Sequence, residues 1–121
     1  MSVLVWVGVA LLGGVGACAR FLLDSTIASR SPLDFPLGTY VVNISGAFVL
    51  GLLVGVSLEG DAYLLAGTGT IGAYTTFSTW MLETHRLGEE TERWSMAANV
   101  GLSLAAGIGA AALGRAIGGA L

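Results

Sequence analysis

Nine consecutive residues, Gly72-Ala73-Tyr74-Thr75-Thr76-Phe77-Ser78-Thr79-Trp80, form a dense polar and aromatic cluster within an uncharged stretch of this 121-residue chain. Thr75, Thr76, Ser78 and Thr79 place four hydroxyls in five positions, and Phe77 and Trp80 stand three apart, with Tyr74 extending the aromatic stripe. Two further polar pairs fall at i, i+4: Thr39 with Asn43, and Asn99 with Ser103. Amide and hydroxyl groups donate hydrogen bonds, and aromatic ring edges are electropositive. No Asp, Glu, Lys, Arg or His lies among these residues. A lining of neutral donors suits a small, strongly hydrated anion, and it would equally suit a neutral solute that accepts hydrogen bonds. Catalysis is poorly served. There is no nucleophile–base pair and no metal-ligand spacing; Cys18 is the lone cysteine, and His85 is a lone loop residue near Glu83 and Arg86. The chain reads as no enzyme.

The elements that must position these groups follow from the charges. Residues 1–19, 35–58, 62–82 and 94–114 contain no Asp, Glu, Lys or Arg, and together they make up 85 of the 121 residues. A bilayer core of about 30 Å needs roughly 20 apolar residues per helix. The pattern predicts an all-α integral membrane protein, one four-helix transmembrane domain over residues 1–121, with spans near 3–23, 36–58, 62–82 and 94–115. A β-barrel would show alternation over segments of about 10 residues instead. The links at 20–34, 59–61 and 83–93 are too short for a soluble domain, so function must lie within the membrane. Four short spans make a thin bundle, and oligomerisation is expected.

Five Arg, no Lys and eight acidic residues give a net charge of −3 and no basic patch for nucleic acid. Arg20, Arg30, Arg86 and Arg93 fall on one side of the four-span arrangement and Arg115 on the other, which favours loops 1 and 3 in the cytoplasm and both termini outside. Val15-Gly16-Ala17-Cys18 superficially resembles a lipoprotein cleavage box, but no basic residue precedes it, so the segment reads as a retained first helix.

Small residues recur along three spans: Gly13, Gly14, Gly16 and Ala17; Ala47, Gly51 and Gly55; Ala97, Gly101, Ala105 and Gly109. Such rows let helix backbones approach closely in lipid. Pro36 suits the first turn of the second helix, with Asp34 close enough to cap it. Asn43 then sits about two turns in, too deep to reach water. Gly67, Gly69 and Gly72 weaken the third span just before its hydroxyl cluster, predicting a break there. A broken helix at mid-membrane frees backbone groups that need partners and can frame an ion site.

Three motifs in order carry a family resemblance: Gly13-Gly14-Val15-Gly16-Ala17-Cys18-Ala19-Arg20-Phe21, then Pro36-Leu37-Gly38-Thr39-Tyr40-Val41-Val42-Asn43-Ile44-Ser45-Gly46, then the Gly72-to-Trp80 segment. With them the chain resembles the Fluc (CrcB) fluoride channels. The resemblance implies an antiparallel, dual-topology dimer in the cell (plasma) membrane that passively exports cytoplasmic fluoride ion. It implies two pores at the dimer interface and a structural Na+ at the dimer centre, held by the backbone carbonyls of Gly72 and Thr75. Asn43, Phe77, Trp80, Ser103, Thr79 and Arg20 would line or feed the fluoride pathway. Trp80 stands where the family usually has a second Phe, Asn99 where a Tyr is common, and Ala73-Tyr74 replaces a more usual Gly and an aliphatic residue or Phe. The Arg bias raises a second arrangement, a heterodimer with a paralogous subunit of opposite orientation in place of a homodimer. Two other classes stay open: a proton-coupled exporter like the small multidrug-resistance proteins, which relies on a carboxylate in its first helix, and a non-transporting membrane assembly subunit.

Overall fold

The structure, a computed structural model, describes residues 2–32, 35–90 and 93–121, and every regular element among them is helical. The first helix, α1 (Val3–Arg30), is started by Ser2, whose hydroxyl accepts from the Val5 N–H at 3.2 Å. It runs a full seven residues past the expected limit at 23. Arg20 and Asp24 change the solvation of a helix and not its backbone geometry, and between Arg20 and Pro32 there is no Gly or Pro to stop it. At 1.5 Å per residue its 28 residues reach about 42 Å, more than the hydrocarbon needs.

The second helix, α2 (Leu37–Gly55), begins one residue later than expected, with Pro36 as its N-cap rather than in its first turn. No side chain caps it among the described residues, and Asp34, the expected cap, lies outside them. A short reversal follows, with Ser57 at φ 60° and Gly60 at φ 64° in the left-handed region. The segment expected as one span at 62–82 is divided. It comprises α3 (Gly60–Tyr63), a π-helical stretch (Leu64–Ile71), α4 (Gly72–Tyr74) and α5 (Ser78–Glu89). Gly67 and Gly69 supply little helix propensity in the π-helical stretch, and the Thr70 hydroxyl donates to the Leu65 carbonyl at 2.9 Å across its widened turn. At Thr75 the backbone is extended (φ −82°, ψ 163°), and α-helix resumes only at Ser78. The last helix, α6 (Arg93–Ala120), extends five residues beyond the expected 115.

Three helices, α1, α2 and α6, are each long and apolar enough to cross a membrane. The divided 62–82 segment does not supply a fourth single one. α2 and α6 pack backbone to backbone: a Cβ placed on Gly51 or Gly55 would run into the carbonyls of Ala111 or Arg115, and one on Gly114 or Gly118 into those of Phe48 or Leu52. α1 packs on the π-helical stretch in the same way, Gly16 lying against the Thr70 carbonyl. The interior is correspondingly small and partly polar, with Val42, Leu87, Thr39, Asn99 and Ser103 buried, while Leu4, Phe21, Leu102 and Ile108 stay exposed. Apolar outside and polar inside is the distribution expected of a chain solvated by lipid.

Candidate functional site

The extended backbone after Thr75 removes Thr76 from any helical ladder, so its N–H and C=O need partners that lipid cannot supply. Asn43 supplies both. Its Nδ2 donates to the Thr76 carbonyl at 2.8 Å, and its Oδ1 accepts the Thr76 N–H, also at 2.8 Å. A neutral amide offers a donor and an acceptor in that arrangement, which an ionised carboxylate does not. Asn43, read from sequence as a donor to a passing ion, therefore serves first as the clamp of the break, with one Nδ2 hydrogen remaining.

Two open clefts meet at Asn43. The first, about 480 Å³, is lined by Asn43, Gly46, Gly72, Thr75, Thr76 and Phe77 among others. The second, about 290 Å³, is lined by Asn43, Trp80, Ser103 and the apolar side chains of α2 and α6. Neither contains a charged or titratable side chain other than the Tyr63 phenol in the first. Phe77 is 70% exposed, and its ring meets Trp80 edge to face, with centroids 5.8 Å apart and planes at 80°. Because Phe77 buries little, Phe77→Ile is expected to leave thermal stability near wild type, which the melting temperature checks.

Trp80, expected on the ion pathway, carries an indole N–H as well as its ring edges. The structure commits that group elsewhere: Nε1 donates to the Asn99 backbone carbonyl at 3.0 Å. Ser103 is buried at the second cleft, and its Oγ, like Asn99 Oδ1, has no hydrogen-bond partner among the described residues. Thr79 lines neither cleft; its backbone N–H donates to the Thr76 hydroxyl at 3.2 Å, helping to start α5. Arg20 also lies outside both linings, and its guanidinium reaches the Thr75 carbonyl at 3.5 Å. Gly72 and Thr75 share the first cleft. Among the described residues no cluster of three His, Cys, Asp or Glu could hold a metal.

A second polar group sits beyond the clefts, where Thr39 at the start of α2 donates to the Glu83 carboxylate. Asp24 of α1 packs against Gly38 so closely that a Cβ there would strike its carboxylate. Partial burial pushes the Glu83 carboxyl above the ordinary glutamate range. Thr39 and Arg86 pull it down, and the Asp24 charge adds to the rise. A raised folded-state pKa means that folding favours the protonated form. The stabilisation is fully present below the unfolded value and lost as pH rises through the folded one. Glu83→Gln, which mimics the protonated group, is therefore expected to raise the melting temperature at neutral pH and to flatten its dependence on mild acidification. Thermal melts at neutral and mildly acidic pH check this. Thr39 and Glu83 are 44 residues apart, a separation at which no local pattern signals the contact.

Residues 7–115 match the family described as CrcB-like protein, Camphor Resistance (CrcB). The chain is 54% identical over 115 residues to a Mycobacterium tuberculosis H37Rv protein named Fluoride-specific ion channel FluC 2, covering 95% of this chain and 91% of that one. It is 56% identical over 114 residues to the FluC 2 of Mycolicibacterium paratuberculosis, covering 94% and 93%. A Leifsonia xyli protein named Fluoride-specific ion channel FluC 1 is 44% identical over 124 residues, covering 98% of this chain and 90% of that one.

Proposed function

Because the chain belongs to the CrcB family, we propose that it is a passive, fluoride-selective ion channel that lets cytoplasmic fluoride leave the cell. It is a multi-pass protein of the bacterial plasma membrane, and a channel family leaves no enzymatic step to assign. The observation that carries the reading is the pair of clefts meeting at Asn43, lined by amide, hydroxyl and aromatic groups with no carboxylate or base. Fluoride holds its water tightly, and a site that dehydrates it must offer hydrogen-bond donors in return. The remaining Nδ2 hydrogen of Asn43, the unpartnered Ser103 hydroxyl, the exposed ring edge of Phe77 and the half-buried Trp80 ring at the second cleft are donors of that kind. Arg20, near the break, adds positive charge without entering either cleft.

The working unit in this reading is one four-span domain, residues 1–121, in which the divided third segment crosses the bilayer with its break at mid-depth. Two subunits in opposite orientations bring their breaks together, and the open sides of the clefts become pores at the interface. The relatives carry the names FluC 1 and FluC 2, which fits cells that hold two paralogues and so keeps a heterodimer beside the homodimer. A structural Na+ at the centre would take carbonyl oxygens of Gly72 and Thr75 from each subunit. Neutral oxygen donors fit a hard monovalent cation. Thr75 would share its carbonyl between that ion and the long contact to Arg20.

A proton-coupled exporter has one observation in its favour, the Asp24–Thr39–Glu83 group, but that group lies outside both clefts. Expression in bacteria stripped of their own fluoride exporter tests the export reading. The channel is expected to restore growth in fluoride, and unchanged sensitivity with the protein present in the membrane would overturn it.

A further inference from the structure

The interruption at Thr75 leaves α5 without a helix behind it, so α4 cannot dictate its rotation or height. A polar cluster ties α5 to α6 instead. Asn99, fully buried on α6, donates from Nδ2 to the Thr84 hydroxyl at 2.7 Å and to the Trp80 carbonyl at 3.4 Å. Thr84 lies one turn beyond Trp80 and donates its own hydroxyl to the Trp80 carbonyl at 2.8 Å, which leaves its oxygen free to accept from Asn99. The Trp80 indole closes the circuit by donating to the Asn99 carbonyl at 3.0 Å. Four hydrogen bonds thus join three residues at the border of the second cleft. Apolar side chains would hold two helices together in lipid without burying an amide, and this amide keeps one unpartnered acceptor among the described residues. What the cluster fixes is the indole: its N–H is turned to α6, and its ring lines the cleft edge to face with Phe77.

We propose that Thr84 and Asn99 are positioning residues for Trp80, holding α5 so that the indole presents its ring, and not its N–H, to the ion pathway. The proposal rests on the channel reading of the clefts. Neither residue touches the ion; both act through Trp80.

Thr84→Val is the decisive variant, since it removes the hydroxyl and keeps the shape. Trp6→Phe and Trp94→Phe first leave Trp80 as the sole tryptophan, both replaced residues being exposed. In that background T84V is expected to shift Trp80 emission and to lower fluoride flux about three- to tenfold, the scale of one lost hydrogen bond. T84S, which keeps the hydroxyl, is expected to match the parent in both readouts. Adding Trp80→Phe should remove the sensitivity, T84V then changing flux by less than about twofold. Unshifted emission, or an equal flux loss with and without Trp80, would overturn the proposal. If the parent carries no fluoride, the channel reading falls, and the emission comparison of T84V with T84S alone decides the positioning role.

Discussion

Asn43→Asp is expected to lower fluoride flux by about a hundredfold while leaving the helical scaffold assembled. The wild-type amide both donates to and accepts from Thr76. An aspartate keeps the acceptor for the Thr76 N–H but turns an oxygen toward the Thr76 carbonyl, where two acceptors repel. It also sets a negative charge where the two clefts meet. For a fluoride about 6 Å away, at an effective dielectric near 20, the repulsion is about 3 kcal/mol, which corresponds to roughly two powers of ten. The variant therefore damages the clamp and the pathway together. Flux per reconstituted protein, with monodispersity in detergent as the folding control, reads the result. Near-normal flux would remove Asn43 from the pathway and leave it a clamp only.

The second large effect is expected two residues apart on one helix. Gly16→Ala adds only a Cβ, yet that atom would collide with the Thr70 carbonyl and press on the Tyr74 N–H, both backbone atoms that cannot swing aside. The cost is about 1–3 kcal/mol of stability, and relief by moving α1 outward would loosen the segment that leads into the break. Gly14→Ala meets nothing within 4 Å and should be neutral or stabilising by up to about 1 kcal/mol, as alanine is a better helix former. Melting temperatures in detergent separate the two. Equal behaviour would mean that α1 does not pack on the π-helical stretch as described.

These glycines also show what could be read from the chain. Small residues every fourth position announce close packing, and Gly16, Gly51 and Gly55 do lie against a neighbouring backbone. On α6 a different row packs within the chain: Gly114 and Gly118 touch α2, whereas Gly101 and Gly109 meet nothing within 4 Å. A row of small residues identifies a smooth helix face, and which face is used depends on the partner's position, which no single helix encodes. Helix ends differ from the expected span limits for a related reason. Charge marks where a segment leaves lipid, but a helix stops at Pro, Gly or a cap, so α1 continues past Arg20 and Asp24 to Arg30.

At the site, residue types were legible and pairings were not. Asn43 and the hydroxyl cluster stood out because polar groups are costly in a bilayer. That Asn43 holds Thr76, or that the Trp80 N–H goes to the Asn99 carbonyl, depends on contacts 33 and 19 residues apart. Thr79 was singled out for its hydroxyl, yet its described hydrogen bond runs through its backbone N–H.

Fluoride efflux from liposomes tests the central claim most directly. Purified protein is reconstituted into vesicles loaded with potassium fluoride, valinomycin is added to shunt K+, and external fluoride is followed with an electrode. Rapid efflux without any pH gradient, with chloride retained in parallel vesicles, is the predicted result. Efflux no faster than from protein-free vesicles, or efflux that requires a pH gradient, would contradict it.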